Sequence, residues 1–209
     1  QDDSVASLAV RYSHPEWIIN SYRDFIADVA ELKELLQANN TPTSPTLVAW
    51  PSMSTASDFN GEPGKYSPYA VHIDRAPFEI PEIKERKAGI QDEGSQVLAI
   101  AFAQAAQDQQ PWLDLCAGPG GKASLLSFLS PVPLYANEIS EARAELVSQV
   151  VREDSIISVG DGREIAVDVH SILADVPCTG LGALRRRPEV RWRRSTGDIP
   201  NLAKLQYEL

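Results

Sequence analysis

The chain has 209 residues, is 43% hydrophobic and 23% charged, and carries a formal net charge of −10 at pH 7. That length suffices for one ample core, or for a domain of roughly 100–150 residues with a smaller companion. No apolar run approaches the ~20 residues that span a bilayer, and two cysteines and three histidines without metal-ligand spacing argue against a structural zinc site and a secreted disulfide scaffold.

The opening residues, QDDSVASLAV, have neither the basic region nor the apolar core of a secretion signal, so they read as the interior of a longer chain in a reducing cytoplasm. Ser13 and Glu16 in SHPE have capping-box spacing. Ile18, Tyr22, Phe25, Val29, Leu32 and Leu36 then recur at alternating steps of four and three, which predicts one amphipathic packing helix ended by Asn39, Asn40 and Pro42. Residues 41–90 are rich in Pro, Gly and Ser and hold two β-like runs, TLVAW and YAVHI. Residues 1–90 are therefore expected to form a small α+β segment, and 91–209 the main domain. A helix is predicted over 92–107. Strands then alternate with helices: strand 111–116, helix 121–129, strand 133–138, helix 141–152, and strands 155–160 and 171–176. Such alternation gives a parallel sheet with right-handed crossovers and ligands at the carboxyl ends of its strands. The expected strand order is 3-2-1-4, leaving one flank of the fourth strand unpaired.

WLDLCAGPGGKASLL, residues 112–126, runs from a strand through a glycine turn into a helix, and three ligands compete for such a turn. A phosphate-binding loop requires a glycine where Cys116 stands and a hydroxyl where Ala123 stands. A dinucleotide fingerprint fits Gly118 to Ala123 loosely, with Glu138 twenty residues after Gly118. The third candidate is S-adenosylmethionine. Asp114 and the turn would approach its amino-acid part, Glu138 would accept from the ribose hydroxyls, and Asp161 would face the adenine. Acids after successive strand ends form a more specific set than any one of them.

ADVPCTGLGALRRRPEVRWRR, residues 174–194, separates these readings. Together with DLCAGPGGKAS, AGIQDEGSQ and HPEWIINSY, it resembles the Sun-type RNA (cytosine-5) methyltransferases, and within them the bacterial small-subunit (16S) rRNA members. The likeness covers nearly the whole chain. It implies an α/β, class I S-adenosylmethionine-dependent (Rossmann-like) methyltransferase fold. It also implies donor contacts from Cys116, Ala117, Gly118, Pro119, Gly120, Gly121 and Lys122, from Glu138 and Asp161, and from Asp175 of the D-x-P-C motif. Arg143, early in the helix after Glu138, is a further candidate.

C5 of cytosine is a poor nucleophile, and a thiolate adding to C6 activates it. On chemistry alone Cys178 is the attacking residue, since it lies at a strand end beside Asp175 with arginines downstream, whereas Cys116 opens the turn as a small buried residue. The resemblance implies otherwise: the attacking cysteine belongs to a later S-T-C-S motif, expected beyond Leu209, and Cys178 assists product release. The chain is thus expected to be a fragment that does not turn over alone. Residues 185–194 hold six arginines and one glutamate, a local +5 on an otherwise acidic chain. Arg185, Arg186, Arg187 and Arg191 suit phosphate, and Trp192 suits base stacking, so RNA is the expected partner, with no metal and no membrane. The expected reaction is methyl transfer to C5 of a cytosine in 16S rRNA. A tRNA substrate, or a silent RNA- or donor-binding module, is the alternative.

Overall fold

The computed structural model describes residues 2–106 and 110–209. In chain order the helices are α1 (Val5–Tyr12), α2 (Glu16–Arg23), α3 (Val29–Asn39), α4 (Pro81–Lys84), α5 (Glu93–Ala105), α6 (Gly121–Leu129), α7 (Glu141–Ser148), α8 (Val190–Arg193) and α9 (Asp198–Glu208). The strands are β1 (Thr46–Ala49), β2 (Glu62–Pro63), β3 (Ala70–His72), β4 (Ala88–Ile90), β5 (Trp112–Asp114), β6 (Tyr135–Glu138), β7 (Ile156–Val159) and β8 (Ser171–Leu173). The contacts divide the chain into two units, residues 1–43 with 177–208, and residues 44–176 with 209. Compactness therefore does not divide the chain at residue 90.

In the first unit the single helix expected from Ser13 to the Asn39 stop is two helices, α2 and α3, with α1 before them. Ser13 is not an N-cap; it ends α1 in the left-handed conformation, φ 55°. Pro15, which lacks an amide donor, opens α2. The working N-caps are Ser4, whose hydroxyl accepts from the Ser7 amide, and Asp28, whose carboxylate accepts from the Ala30 amide. Asp28 starts a new helix, and Phe25, expected on the buried stripe, falls in the intervening turn with 91% exposure. Leu8, Ile19, Leu32 and Leu36 form the core that the three helices share. Helix α3 ends at Asn39 as expected, and α9 contains the LAKLQYE run.

The second unit holds two sheets. An antiparallel sheet, β2-β3-β1-β4, contains the TLVA and AVH runs expected as strands. All four residues of β1 are buried, consistent with its apolar, β-branched composition. The parallel sheet has the order β7-β6-β5-β8, the expected 3-2-1-4 arrangement. Helices α6 and α7 follow β5 and β6, and β8 lies at the sheet edge with Ile172 53% exposed. Leu125, Leu126, Leu134, Ala136 and Val147 pack in one cluster with Val48 and Trp50. Trp50 stacks on Phe128 with ring centroids 5.2 Å apart, and Phe102 meets Trp112 edge-on at 5.4 Å.

The AGIQDEGSQ segment fastens α5 to the antiparallel sheet. Gln96, fully buried, accepts from the Ser67 hydroxyl at 2.7 Å and donates to the Leu47 and Gln91 carbonyls. Glu93 accepts from the Ser67 amide at 2.9 Å. The expected extension of this helix to Gln107 lies outside the described residues.

Candidate active site

The carboxyl ends of β5, β6, β7 and β8 are tied together by backbone and one side chain. The Leu115 amide donates to the Leu173 carbonyl at 2.9 Å, the Ala117 amide to the Asn137 carbonyl at 2.8 Å, and the Gly160 amide to the Glu138 carbonyl at 3.1 Å. Asn137, buried in β6, donates through Nδ2 to the Leu115 and Gly160 carbonyls and accepts from the Ser158 hydroxyl at 2.9 Å. Sequence reasoning passed over Asn137. Its signal was an amide side chain within an otherwise apolar strand, which must find partners when buried.

The turn from Cys116 to Lys122 sits on these strand ends and closes against Glu138. The Gly118 amide donates to Glu138 Oε2 at 3.0 Å. A Cβ on Gly118 would collide with that carboxylate, so glycine is required there for a close approach rather than for its dihedrals. Gly120 is required for both: its φ is 109°, and a Cβ would lie 2.5 Å from Val150 Cγ2. The Gly118–Pro119 peptide is cis, and Pro119 is exposed. Gly121 then opens α6, placing Lys122 in its first turn.

Three of the four acids expected at the donor, Glu138, Asp161 and Asp175, each pair with a cation of the chain. Glu138, 2% exposed, accepts through Oε1 from the Ser140 amide at 2.9 Å and from the Arg143 guanidinium. Asp161 accepts from the Arg163 backbone amide at 3.0 Å and from both Nε and Nη2 of the same side chain. These bonds hold its carboxyl at about 2, the Arg163 side chain being the largest cause. Asp175 pairs with Lys122 at 2.6 Å, which links the glycine turn to the D-x-P-C motif across 53 residues. The structure thus brings together the turn, Glu138, Arg143 and Asp175, with Asp161 immediately after the strand paired to β6. Arg163, unremarked in the sequence, belongs with them.

Asp114 is the most perturbed group. It is 1% exposed, and its Oδ1 has no hydrogen-bond partner. Burial first, and then the negative charge of Asp175, raise its carboxyl to about 7 against the opposing Cys116 amide and Lys122. The Cys116 thiol is also pushed up, by burial and then by Asp114, Glu138 and Asp175. A thiol surrounded by carboxylates makes a poor thiolate, consistent with Cys116 as a packing residue of the turn.

S-adenosylmethionine, a cation bearing an ammonium and two ribose hydroxyls, fits these residues. The strand ends are rich in acceptors, and Asp114 Oδ1 is a buried acceptor in want of a donor. Glu138 keeps lone pairs beyond the bonds it already accepts.

Cys178 and the arginines belong to the other unit. Cys178 is exposed. Arg185, Arg186 and Arg187 are exposed, as is Trp192 at 64%. Arg191 departs from the expectation of an RNA contact. It is 2% exposed and donates to the Ser13 carbonyl at 2.9 Å, to Asn40 Oδ1 at 2.7 Å and to the Asn39 carbonyl at 3.3 Å. Its guanidinium is committed to the chain itself, because α8 turns this position inward while its neighbour Trp192 faces out. Asn39 and Asn40, read as helix stops, are also the receptors of Arg191.

A parallel sheet of this order, with a glycine turn after its first strand and acids at the ends of the others, defines the class I S-adenosylmethionine-dependent methyltransferase fold. Residues 101–209 match the family model of the 16S rRNA methyltransferase RsmB/F, and the chain belongs to that family. A Mycobacterium tuberculosis (strain ATCC 25618 / H37Rv) protein, named only to the class of methyltransferase, is 42% identical over 224 residues, covering 100% of this chain and 49% of its own. The ribosomal RNA small subunit methyltransferase B of Escherichia coli O6:K15:H31 is 29% identical, covering 100% of this chain and 53% of its own. The chain spans about half the length of these curated relatives. Among solved structures, a methyltransferase homolog protein from Pyrococcus horikoshii superposes with a TM-score of 0.75 at 21% identity, covering 100% of this chain and 72% of that one. NSun6 from Pyrococcus horikoshii with SFG gives 0.73 at 12%, covering 93% and 78%.

Proposed function

We propose that the protein transfers a methyl group from S-adenosylmethionine to C5 of a cytosine in RNA, with 16S rRNA as the substrate. The observation that carries this reading is the bond from the Gly118 amide to Glu138, which locks a side-chain-free turn onto the acid of the neighbouring strand. The name of the small-subunit methyltransferase B relative favours ribosomal RNA, and one structural neighbour was solved with SFG, an analogue of the donor. When bound, S-adenosylmethionine supplies an electrophilic methyl group. Residues Cys116 to Lys122 approach it through backbone, Glu138 accepts from its ribose, Asp161 faces its adenine, and Asp175 and Asp114 offer acceptors for its ammonium. Arg143, Arg163 and Lys122 hold the first three carboxylates in place. The exposed Cys178 thiol serves product release, and Arg185, Arg186 and Arg187 contact RNA phosphate. Residues 91–209 carry the donor-binding sequence and residues 1–90 precede it, although residues 177–208 pack in the unit of residues 1–43, and a ribosomal substrate places the protein in the cytoplasm.

Calorimetry with S-adenosylmethionine, followed by incubation with small-subunit rRNA and methyl-labelled donor, tests the reading. Saturable donor binding that Glu138→Ala abolishes is expected; no binding to the unaltered chain overturns it. Label incorporated as 5-methylcytosine and lost in Cys178→Ala would make Cys178 the nucleophile. Binding without incorporation would assign that role to a cysteine outside these residues.

A further inference from the structure

Beside Trp192 lies an open groove of about 400 Å³ that neither the donor site nor the arginine run accounts for. Ala6, Ala9 and Val10 of α1, with Pro15 and Glu16 after the α1–α2 turn, line it alongside Trp192. Val10 is 84% exposed, an unusual position for valine on an amphipathic helix that already buries Leu8. Arg191, one residue before Trp192, donates to the carbonyl of Ser13 at 2.9 Å, so the helix that presents the indole is fastened to a turn that also lines the groove.

We propose that this groove seats one unstacked base of single-stranded RNA. The inference rests on the RNA reading of the arginine run. An exposed indole beside an apolar lining offers stacking to any base, and sequence-tolerant stacking of this kind is how proteins hold opened strands. Charge selects the occupant: Arg185, Arg186, Arg187 and Arg193 are exposed in the same unit and suit a polyanion. A second copy of the chain is disfavoured by its net charge of −10. The Glu16 carboxylate accepts only, so it favours a base whose edge donates, as guanine does from N1 and N2.

The test is binding of the whole chain to a short unstructured oligoribonucleotide across a salt series, followed by Trp fluorescence. Trp192→Ala is expected to weaken binding roughly tenfold or more, the worth of one stacked base, with the salt slope unchanged. Trp192→Phe should retain most of the affinity, and Val10→Glu, at an exposed position that leaves the core intact, should also weaken it. Unaltered affinity in Trp192→Ala overturns the groove while leaving the arginine reading in place. Self-association that Trp192→Ala abolishes without affecting RNA binding overturns it in favour of a second copy. No RNA binding by the unaltered chain overturns both readings together.

Discussion

Asp114 and His14 are buried ionisable groups whose environments oppose their charge, and each makes stability depend on pH in its own direction. Asp114 takes its proton near 7 in the folded chain and near 3.8 when unfolded. Its contribution to stability is therefore fully present below about 4, falls as pH rises towards 7, and stays lost above that. Asp114→Asn is expected to raise the melting temperature at about pH 8, an effect worth a few kcal/mol at most, and to change nothing below the unfolded value. Circular dichroism melts across pH check this. The same variant should bind S-adenosylmethionine more weakly if Asp114 is an acceptor for the donor. His14 behaves oppositely. Burial lowers its proton affinity below the ordinary 6.5, and Arg191 nearby lowers it further, although the Tyr12 carbonyl at 2.7 Å favours the proton. Its contribution is present above 6.5 and is lost as pH falls below that value through the folded one. Of the other groups facing it, Asn39 offers Nδ2 to Nε2 at 3.3 Å and carries no charge. His14→Gln should flatten the acid limb of the stability curve without moving the alkaline one, which denaturant titrations at about pH 5 and pH 8 would resolve.

At the scale of elements, the glycine turn is the least tolerant piece of the chain. Gly118→Ala places a methyl group against the Glu138 carboxylate and within 3.0 Å of Arg143 Cβ, so either the turn or the acid must move. Donor affinity is expected to fall by at least tenfold, with a stability loss of about 1–3 kcal/mol from overpacking. Calorimetry and thermal melts separate the two effects. This element was legible from the sequence because glycine spacing, a flanking apolar strand and Glu138 after the next strand all point the same way. The parallel strands were legible for a related reason: runs such as LYANE and SIISV are short, apolar and bounded by turn residues. Helices α1 to α3 were not. The heptad-like stripe from Ile18 to Leu36 continues in sequence across a break in space, and Asp28 starts a new helix where periodicity alone sees no interruption. Nor did spacing reveal that Ser13 ends a helix. Serine and glutamate three residues apart fit an N-cap, but Pro15 between them opens the second helix instead. The partners of Arg191 lie some 150 residues away or more in sequence, beyond the reach of any local pattern.

For the whole molecule, the opposition between a net charge of −10 and a run of six arginines resolves by position. Five arginines lie outside the core, one lies inside, and these two roles make different predictions. Converting Arg185, Arg186 and Arg187 together to alanine removes three exposed charges. The slope of log affinity for single-stranded RNA against log salt should fall by about 2, since each phosphate contact contributes about 0.7. Folding should be unaffected, because surface charges of this kind contribute little to stability. Arg191→Ala should do the reverse. It strands the Ser13 and Asn39 carbonyls and the Asn40 side chain, all of which now accept from the guanidinium. A loss of about 2–4 kcal/mol is expected from unpaired buried groups, and the salt slope should stay within error of the unaltered chain at temperatures where the variant remains folded. Arg191→Lys should not rescue it, because one ammonium cannot reproduce the planar fork that reaches three acceptors on two separate segments. If Arg191→Ala instead lowered the salt slope while leaving the melting temperature unchanged, Arg191 would be a phosphate contact in solution. The burial of its guanidinium, and with it the wall of the Trp192 groove, would then be wrong.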